Sequence, residues 1–311
     1  MKAARIHRFG PPDVIELDDL PRPKPDPDQV VIRVAAAGGG PWDALIREQK
    51  SVVNVPLPIT LGSDLSGIVE SVGSDIHHFK PGDEVYGATN PQFVGGYAEY
   101  ALASASMIAR KPNSITFEEA ASAPVVAVTA WQMLFDCAKA QAGQSVLIHG
   151  AAGNVGAYAV QLARHAGLHI FATASSDHVS FVKSLGADTV VDYRTAQFEE
   201  VVPKVDIVLD MIGGDTRDRS FQIIKPGGIL VSVVSSGSPA LNAPGAVRNA
   251  FFLVDVTTQR LERLTELLDR GLIKTRVGTV LPLDQARKAH EMLAGALHKR
   301  GKIVLKIADL D

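Results

Sequence analysis

The sequence predicts an α/β protein in which a doubly wound parallel sheet is joined to a second, β-rich domain. Three observations carry this. The stretch Ser145–Gly156, SVLIHGAAGNVG, runs a short apolar segment (Val146, Leu147, Ile148) into a glycine-rich turn. A helical pattern follows, with Val155, Ala159, Leu162 and Ala166 at helical spacing. After Gly143 strands and helices alternate, as they do in a parallel sheet with crossover helices. Before residue 110, by contrast, short strands succeed one another between turn signals, the texture of a barrel or sandwich.

At 311 residues the chain exceeds a comfortable single core, so two domains are expected. A hydrophobic fraction of 46% and a charged fraction of 21% are ordinary for a globular protein. A net charge of -3 gives no reason to expect nucleic acid or an anionic membrane as a partner. No run approaches the roughly 18 apolar residues of a membrane span. The N-terminus, MKAARIHRFG, does not read as a signal peptide. The only cysteine, Cys137, cannot form an internal disulfide and leaves no multi-cysteine zinc site. These features point to a cytoplasmic protein.

In order along the chain, Gln29–Ala36 alternates as a half-buried strand after a proline-punctuated extended segment. Gly38-Gly39-Gly40-Pro41-Trp42-Asp43 is a glycine-rich turn into a short helix over 43–47. Further strands are expected at Gly67–Val72, after the Lys80–Asp83 turn, and after Gly95-Gly96. Thr116–Ala142 is alanine-rich with helical period, and Thr116 with Glu119 makes a capping box. Strands then follow at Val146–His149, His169–Ala174, Thr189–Tyr193, Val205–Met211 and Gly228–Ser235, with helices at Val155–Ala166, Val179–Leu185 and Arg217–Ile224. A sixth strand is expected near Phe252–Val256, helices at Thr258–Arg270 and Leu283–Leu297, and a closing strand at Lys302–Ile307.

The turn pattern Ala151-x-Gly153-x-x-Gly156 places glycines where a backbone must approach a pyrophosphate at a helix N-terminus. The strand before it and the helix after it are the context the motif requires. The other reading is a tight strand-to-helix turn without a ligand. In such folds an acid at the end of the second strand binds the ribose hydroxyls. Here that strand ends in Ser175-Ser176, neither of them acidic, so a 2′-phosphate would meet no repulsion from them. Asp177 reads either as an opposing acid or as the cap of the next helix.

The chain resembles the medium-chain dehydrogenase/reductase superfamily, and within it the zinc-free quinone oxidoreductase (zeta-crystallin-like) branch. The resemblance spans nearly the whole length and rests on several segments. They are Gly62-Ser63-Asp64-Leu65-Ser66-Gly67-Ile68-Val69, Gly82–Gly87, Gly96–Tyr100, Ala127–Trp131, Ala151–Gly156, Lys225–Gly228 and Gly301–Leu305. It implies a GroES-like catalytic domain from residues 1–114 with 256–311, a Rossmann domain over 115–255, and an active cleft between them. It also implies a homodimer. The zinc-dependent branch carries a ligand cysteine where this chain has Gly39–Asp43, and a four-cysteine lobe, so no metal site is expected. His77-His78 reads as a solvent-facing pair.

The same resemblance implies NADPH as cofactor and hydride transfer to a quinone or an α,β-unsaturated carbonyl. It assigns the pyrophosphate turn to Gly150, Ala152, Gly153, Asn154, Val155 and Gly156, and the adenosine phosphate to Ser175, Ser176, His178 and Tyr193. His178 stands where relatives have lysine. Lys302, with Lys299 and Arg300, would add positive charge or form a solvated basic cluster. Thr129, Ile212, Gly213, Val233, Val234, Ser235, Phe251, Phe252 and Val254 correspond to segments lining the nicotinamide, core packing being the alternative for the two phenylalanines. Trp42 reads as a pocket floor or a core residue. Asp43 matches a family aspartate and reads more as a structural hydrogen-bonding residue than as an acid. The family's asparagine is Gly40, and a tyrosine found in some relatives is Leu45. Charge-assisted bonds to phosphate of roughly 1.5–3 kcal/mol each predict NADPH over NADH by about ten-fold to several hundred-fold. Two alternatives remain: a non-catalytic NADPH-binding protein, crystallin-like or RNA-binding, and an enoyl reductase of a biosynthetic pathway.

Overall fold

The computed structural model describes residues 1–234 and 247–310. The chain divides into two compact units, Met1–Val125 with Val256–Asp311, and Val126–Asp255. The first unit extends past the expected limit at 114 because residues 117–121 pack on its own strands.

Its first segment contains β1 (Lys2–Ile6), β2 (Ile15–Asp19), β3 (Gln29–Gly39), α1 (Pro41–Arg47), β4 (Ile59–Thr60), β5 (Asp64–Val72), β6 (Glu84–Ala88), β7 (Tyr100–Ser104), β8 (Ile108–Arg110) and α2 (Phe117–Ala121). The capping box opens α2 as expected: Thr116 Oγ1 accepts from the Glu119 N–H at 3.2 Å, and Glu119 Oε2 accepts from the Thr116 N–H at 3.0 Å. The single long helical stretch expected over 116–142 is broken into α2, α3 (Pro124–Trp131) and a π-helical turn at Gln132–Cys137. Pro124 cannot donate to a preceding turn, which ends α2.

The second unit holds β9 (Ser145–Ile148), α4 (Asn154–His165), β10 (His169–Ala174), α5 (Val179–Ser184), β11 (Thr189–Asp192), α6 (Phe198–Val201), β12 (Val205–Asp210), α7 (Gly214–Ser220), β13 (Ile224–Ser232) and β14 (Arg248–Phe251). These strands form one parallel sheet in the order β11-β10-β9-β12-β13-β14, the doubly wound Rossmann order. Its core includes Leu147, Val191, Val205, Val208, Leu230 and Phe198. The sixth strand lies at Arg248–Phe251, ahead of the expected 252–256, because it is the register with β13 (Ser232↔Phe251) that sets it. Ser235 falls outside the described residues.

The chain returns to the first unit with α8 (Thr258–Asp269), β15 (Val277–Pro282), α9 (Ala286–Leu293) and β16 (Lys302–Lys306). Helix α9 stops short of the expected Leu297: Gly295, with φ 111, is where the chain turns out of helix. Strand β16 pairs antiparallel with β3, so the C-terminal strand completes the N-terminal sheet β15-β16-β3-β5-β6-β8, with β7 also on β3. A smaller sheet runs β2-β1-β4. Among the described residues no helix is long and apolar enough to cross a membrane.

Candidate functional site

In the second unit all six strands point the same way, so their C-terminal ends share one edge of the sheet. The expected cofactor residues 150–156, 175–178, 193, 212–213, 233–234 and 251–254 each follow one of these ends within a few residues. Thr129 sits apart in sequence, buried on α3.

Gly150 adopts φ 70 and turns the chain back, so that its carbonyl accepts the Gly153 N–H at 2.9 Å. Gly153 is the N-cap of α4. It contributes no capping side chain, and the first turn (Asn154, Val155, Gly156) contains no acid. The unpaired N–H groups and the positive end of the helix dipole are therefore left for an anion, which fits a dinucleotide pyrophosphate. Ala151, in place of the first usual glycine, is fully buried.

The two remaining glycines differ. A Cβ at Gly156 would lie 2.3 Å from the Gly150 carbonyl oxygen and 2.7 Å from Ala151 Cα, all backbone. The same atom at Gly153 would meet the Gly150 oxygen at 3.1 Å. The neighbour of Gly156 is thus the turn itself. Gly156→Val is expected to lose dinucleotide binding together with at least the roughly 1–3 kcal/mol typical of overpacking. Gly153→Val should keep most of its stability and lose chiefly affinity. Thermal unfolding and dinucleotide titration of both variants check this; equal melting temperatures for Gly156→Val and wild type would contradict it.

Two buried polar residues that sequence reasoning missed brace this edge. Asp210 Oδ1 accepts the N–H groups of Ile212 (3.0 Å) and Gly213 (2.8 Å), and its Oδ2 accepts from Ser232 Oγ at 2.8 Å. This holds the β12 end open, with Gly213 at φ 77 and Ile212 half exposed over Gly150. Val234 and Phe251 are also exposed in part. His149 is fully buried between Thr173 Oγ1 and Ser220 Oγ, each 3.0 Å away. Ser220 gives its proton to the Thr216 carbonyl at 2.7 Å. His149 Nε2 must therefore donate to Ser220, and Nδ1 accepts from Thr173. Burial pushes the imidazole down to about 4, so it is neutral.

At the end of β10, Ser175 Oγ lies 2.9 Å from His178 Nδ1. Asp177 makes no capping bond and instead pairs with Arg194 at 3.5 Å, which replaces the capping reading. Ser176 donates its hydroxyl to Asp192, at the end of the neighbouring strand β11. The end of β10 carries no acid of its own, but the neighbouring strand supplies one. Strand register sets Ala174 opposite Asp192, and the carboxylate reaches across. That Ser176 bond, followed by the Arg194 backbone N–H, holds Asp192 below the usual carboxylate range. Tyr193 is largely exposed beside it.

In the first unit the three glycines after β3 each abut a neighbour. A Cβ at Gly38 would meet the Ala121 carbonyl oxygen at 2.3 Å, at Gly39 the Tyr97 hydroxyl at 3.0 Å, and at Gly40 the six-membered ring of Trp42 at 2.3–2.4 Å. With the indole in this place, no side chain fits at Gly40. Trp42 Nε1 donates to Ser63 Oγ at 2.9 Å, and Lys302 Nζ stands 4.2 Å from the indole centroid. Trp42 is thus clamped on three sides yet only half buried.

Lys302 is not a solvated cation available to a phosphate. Its side chain is buried, and the ammonium is 2.7 Å from Asp64 Oδ2, while Asp64 Oδ1 accepts the Val125 N–H at 3.0 Å. Lys299 and Arg300 are exposed, as are His77 and His78. Asp43 is fully buried with Oδ2 accepting the Gly40 N–H at 2.8 Å. Burial pushes its carboxyl up to about 8, against the opposing pull of that bond and of Lys302. Its geometry is that of a residue bracing the start of α1. Nearby, Arg47 Nη1 donates to His290 Nδ1 at 2.7 Å, and Tyr97 meets His290 edge-on at 5.9 Å. Burial, then the Arg47 charge, pushes His290 down to about 3.

Among the described residues no group of three His, Cys, Asp or Glu side chains could hold a metal. Residues 39–43 do not fit zinc: Asp43 alone has a ligating side chain, and its Oδ2 is engaged by the Gly40 N–H.

Residues 26–113 match the alcohol dehydrogenase GroES-like domain family, and residues 185–305 the zinc-binding dehydrogenase family. The chain is 32% identical to the Mus musculus quinone oxidoreductase over 98% of its own length and 97% of that protein. It is 34% identical to the chloroplastic NADPH-dependent alkenal/one oxidoreductase of Arabidopsis thaliana, over 98% and 79%. Among solved structures, the quinone oxidoreductase from Coxiella burnetii superposes with a TM-score of 0.90 at 34% identity, covering 99% of each chain. The Escherichia coli quinone oxidoreductase complexed with NADPH gives 0.86 at 26% identity, covering 98% of this chain and 100% of that one. A parallel sheet in Rossmann order, a GroES-like sheet closed by the C-terminal strand, and full-length likeness above 30% identity agree: this chain belongs to the quinone oxidoreductase family of medium-chain dehydrogenases/reductases.

Proposed function

We propose that the protein is an NADPH-dependent oxidoreductase that reduces a quinone, or the carbon–carbon double bond of an enone or enal, without zinc, as a cytoplasmic homodimer. The observation that carries this reading is the uncapped, acid-free N-terminus of α4 behind the Gly150 turn, in a chain akin to NADPH-dependent reductases. NADPH, when bound, supplies the hydride. The chain's own residues bind and orient. The first-turn N–H groups of α4 would take the pyrophosphate. Ser175, Ser176, His178 and Tyr193 would flank the ribose, and Ile212, Val233, Val234, Phe251, Phe252 and Val254, with Thr129, would border the nicotinamide. Half-exposed apolar side chains there exclude water from the reacting carbon.

Trp42 offers a rigid aromatic surface, since Ser63, Gly40 and Lys302 leave its ring one position. That suits a flat acceptor such as a quinone ring or a conjugated carbonyl. Dimerisation through β14, the edge strand of its sheet, fits the half-exposed Phe251 at its end.

Steady-state turnover with a panel of quinones, enones and enals at saturating NADPH tests the reading. Acceptor-dependent NADPH oxidation that survives a chelator is expected. Binding of NADPH without turnover of any acceptor would favour a non-catalytic binding protein, and loss of activity with a removed stoichiometric zinc would overturn the metal-free mechanism.

A further inference from the structure

The ribose-binding edge carries a charge balance of its own. Two carboxylates and one guanidinium meet where β10 and β11 end. Arg194 turns its guanidinium to Asp177, 3.5 Å away, and gives Asp192 only its backbone N–H, at 3.0 Å. Asp192 also takes the hydroxyl proton of Ser176. Ser176 has a single proton to give, so while that bond stands it offers an incoming phosphate lone pairs in place of a donor. The carboxylate itself adjoins the strand end at which folds of this order read the ribose.

We propose that Asp192 is the residue that sets cofactor preference in this chain: it accepts from the ribose hydroxyls of NADH and repels the 2′-phosphate of NADPH. The inference deepens the cofactor assignment above and rests on it. Position matters more than residue type here. In folds that select NAD, an acid at the end of the second strand does this work; here strand register delivers one from the third strand to the same place. The acid stays ionised because Ser176 and the Arg194 N–H both bond its charged form.

A 2′-phosphate carries nearly two negative charges, so a like charge a few ångströms off in a wet site lowers its affinity by about ten-fold. His178 and Tyr193 pull the other way. The preference for NADPH is therefore about ten-fold smaller than the one that the serines alone predict.

The test is the dissociation constant of NADPH and of NADH for the intact protein, by fluorescence titration, in wild type, Asp192→Asn and Asp192→Ser. In both variants NADPH should bind about ten-fold more tightly and NADH several-fold more weakly, with melting temperatures near wild type because Asp192 is only half-buried, at the end of its strand. Affinities for both cofactors unchanged within two-fold would overturn the role of Asp192 while leaving the cofactor assignment standing. Failure of the wild-type protein to bind either dinucleotide would overturn the assignment on which the inference rests.

Discussion

Lys302→Met is expected to destabilise the protein by about 3–5 kcal/mol, the range for removing one partner of a buried ion pair. Lys302 and Asp64 are both essentially inaccessible, and the ammonium sits 2.7 Å from the carboxylate with the Trp42 ring as its other contact. Methionine fills most of the lysine stem's volume, so lost packing is a minor part of the change. What remains is a carboxylate with only the Val125 N–H to stabilise its charge. Burial already raises the proton affinity of Asp64 with Lys302 in place, against the pull of the ammonium and of the Val125 N–H; in the variant it rises further, and the folded state prefers Asp64 protonated. By linkage the deficit is small at acid pH and grows as pH rises. Adding Asp64→Asn to Lys302→Met should restore much of the loss, because no buried charge is then left alone. Denaturant unfolding of the single and double variants at several pH values measures this. A single variant as stable as wild type at pH 8 would mean that the pair is solvated, and Lys302 would return as a candidate for phosphate binding.

A second large effect is expected in acid. His149 is neutral in the fold with its value pushed down to about 4, and His290 to about 3, both below the ordinary 6.5 because burial penalises the cation. For such groups the unfolded chain takes up protons first. The stability they contribute is complete above about pH 6.5 and is lost as pH falls towards 4 for His149 and towards 3 for His290. At 1.36 kcal/mol per unit of pKa this amounts to roughly 3 kcal/mol for His149 and somewhat more for His290. Asp43 acts in the opposite sense. Its value near 8 lies above the unfolded one, so its contribution is complete in acid and is lost as pH rises through 8. The sum of the three is not diagnostic, but differences are. The stability gap between wild type and His149→Gln should shrink as pH falls from 7 to 4.5, because glutamine has no proton to take up. A gap that stays constant across that window would mean that His149 is not held neutral by burial.

Much of the fold was legible in the sequence, and the reason is physical locality. The strand–turn–helix at 145–156 depends on an apolar run, a glycine able to adopt φ 70, and helical periodicity, all within a dozen or so residues. The capping box at Thr116 and Glu119 is likewise a contact between neighbours three apart. Where the expectation slipped, tertiary contact had the deciding part. The sixth strand sits where β13 pairs with it, and its own composition did not locate it. The helical stretch after Thr116 broke at Ala121 and widened to a π-turn at Gln132, whose side chain accepts the Asp255 N–H at 2.9 Å.

The site divides the same way. The sequence alone determined that a glycine turn, the helix after it and the strand ends would lie on one edge of a parallel sheet, since each is a property of one segment; that the helix starts one residue earlier, on Gly153 and without a cap, came from the structure. Only the tertiary structure decided what those segments face. Asp192 reaches Ser176 because β11 pairs with β10 in a particular register, and a shift of one residue would turn it to the other side of the sheet. Trp42 lies on Gly40 through local geometry, but Lys302, which holds its ring from the other end of the chain, meets Asp64 across 238 residues. Arg47 meets His290 across 243. Buried charges and hydrogen-bonding groups must find partners wherever the closed sheet brings them, and no local pattern records which partner that will be.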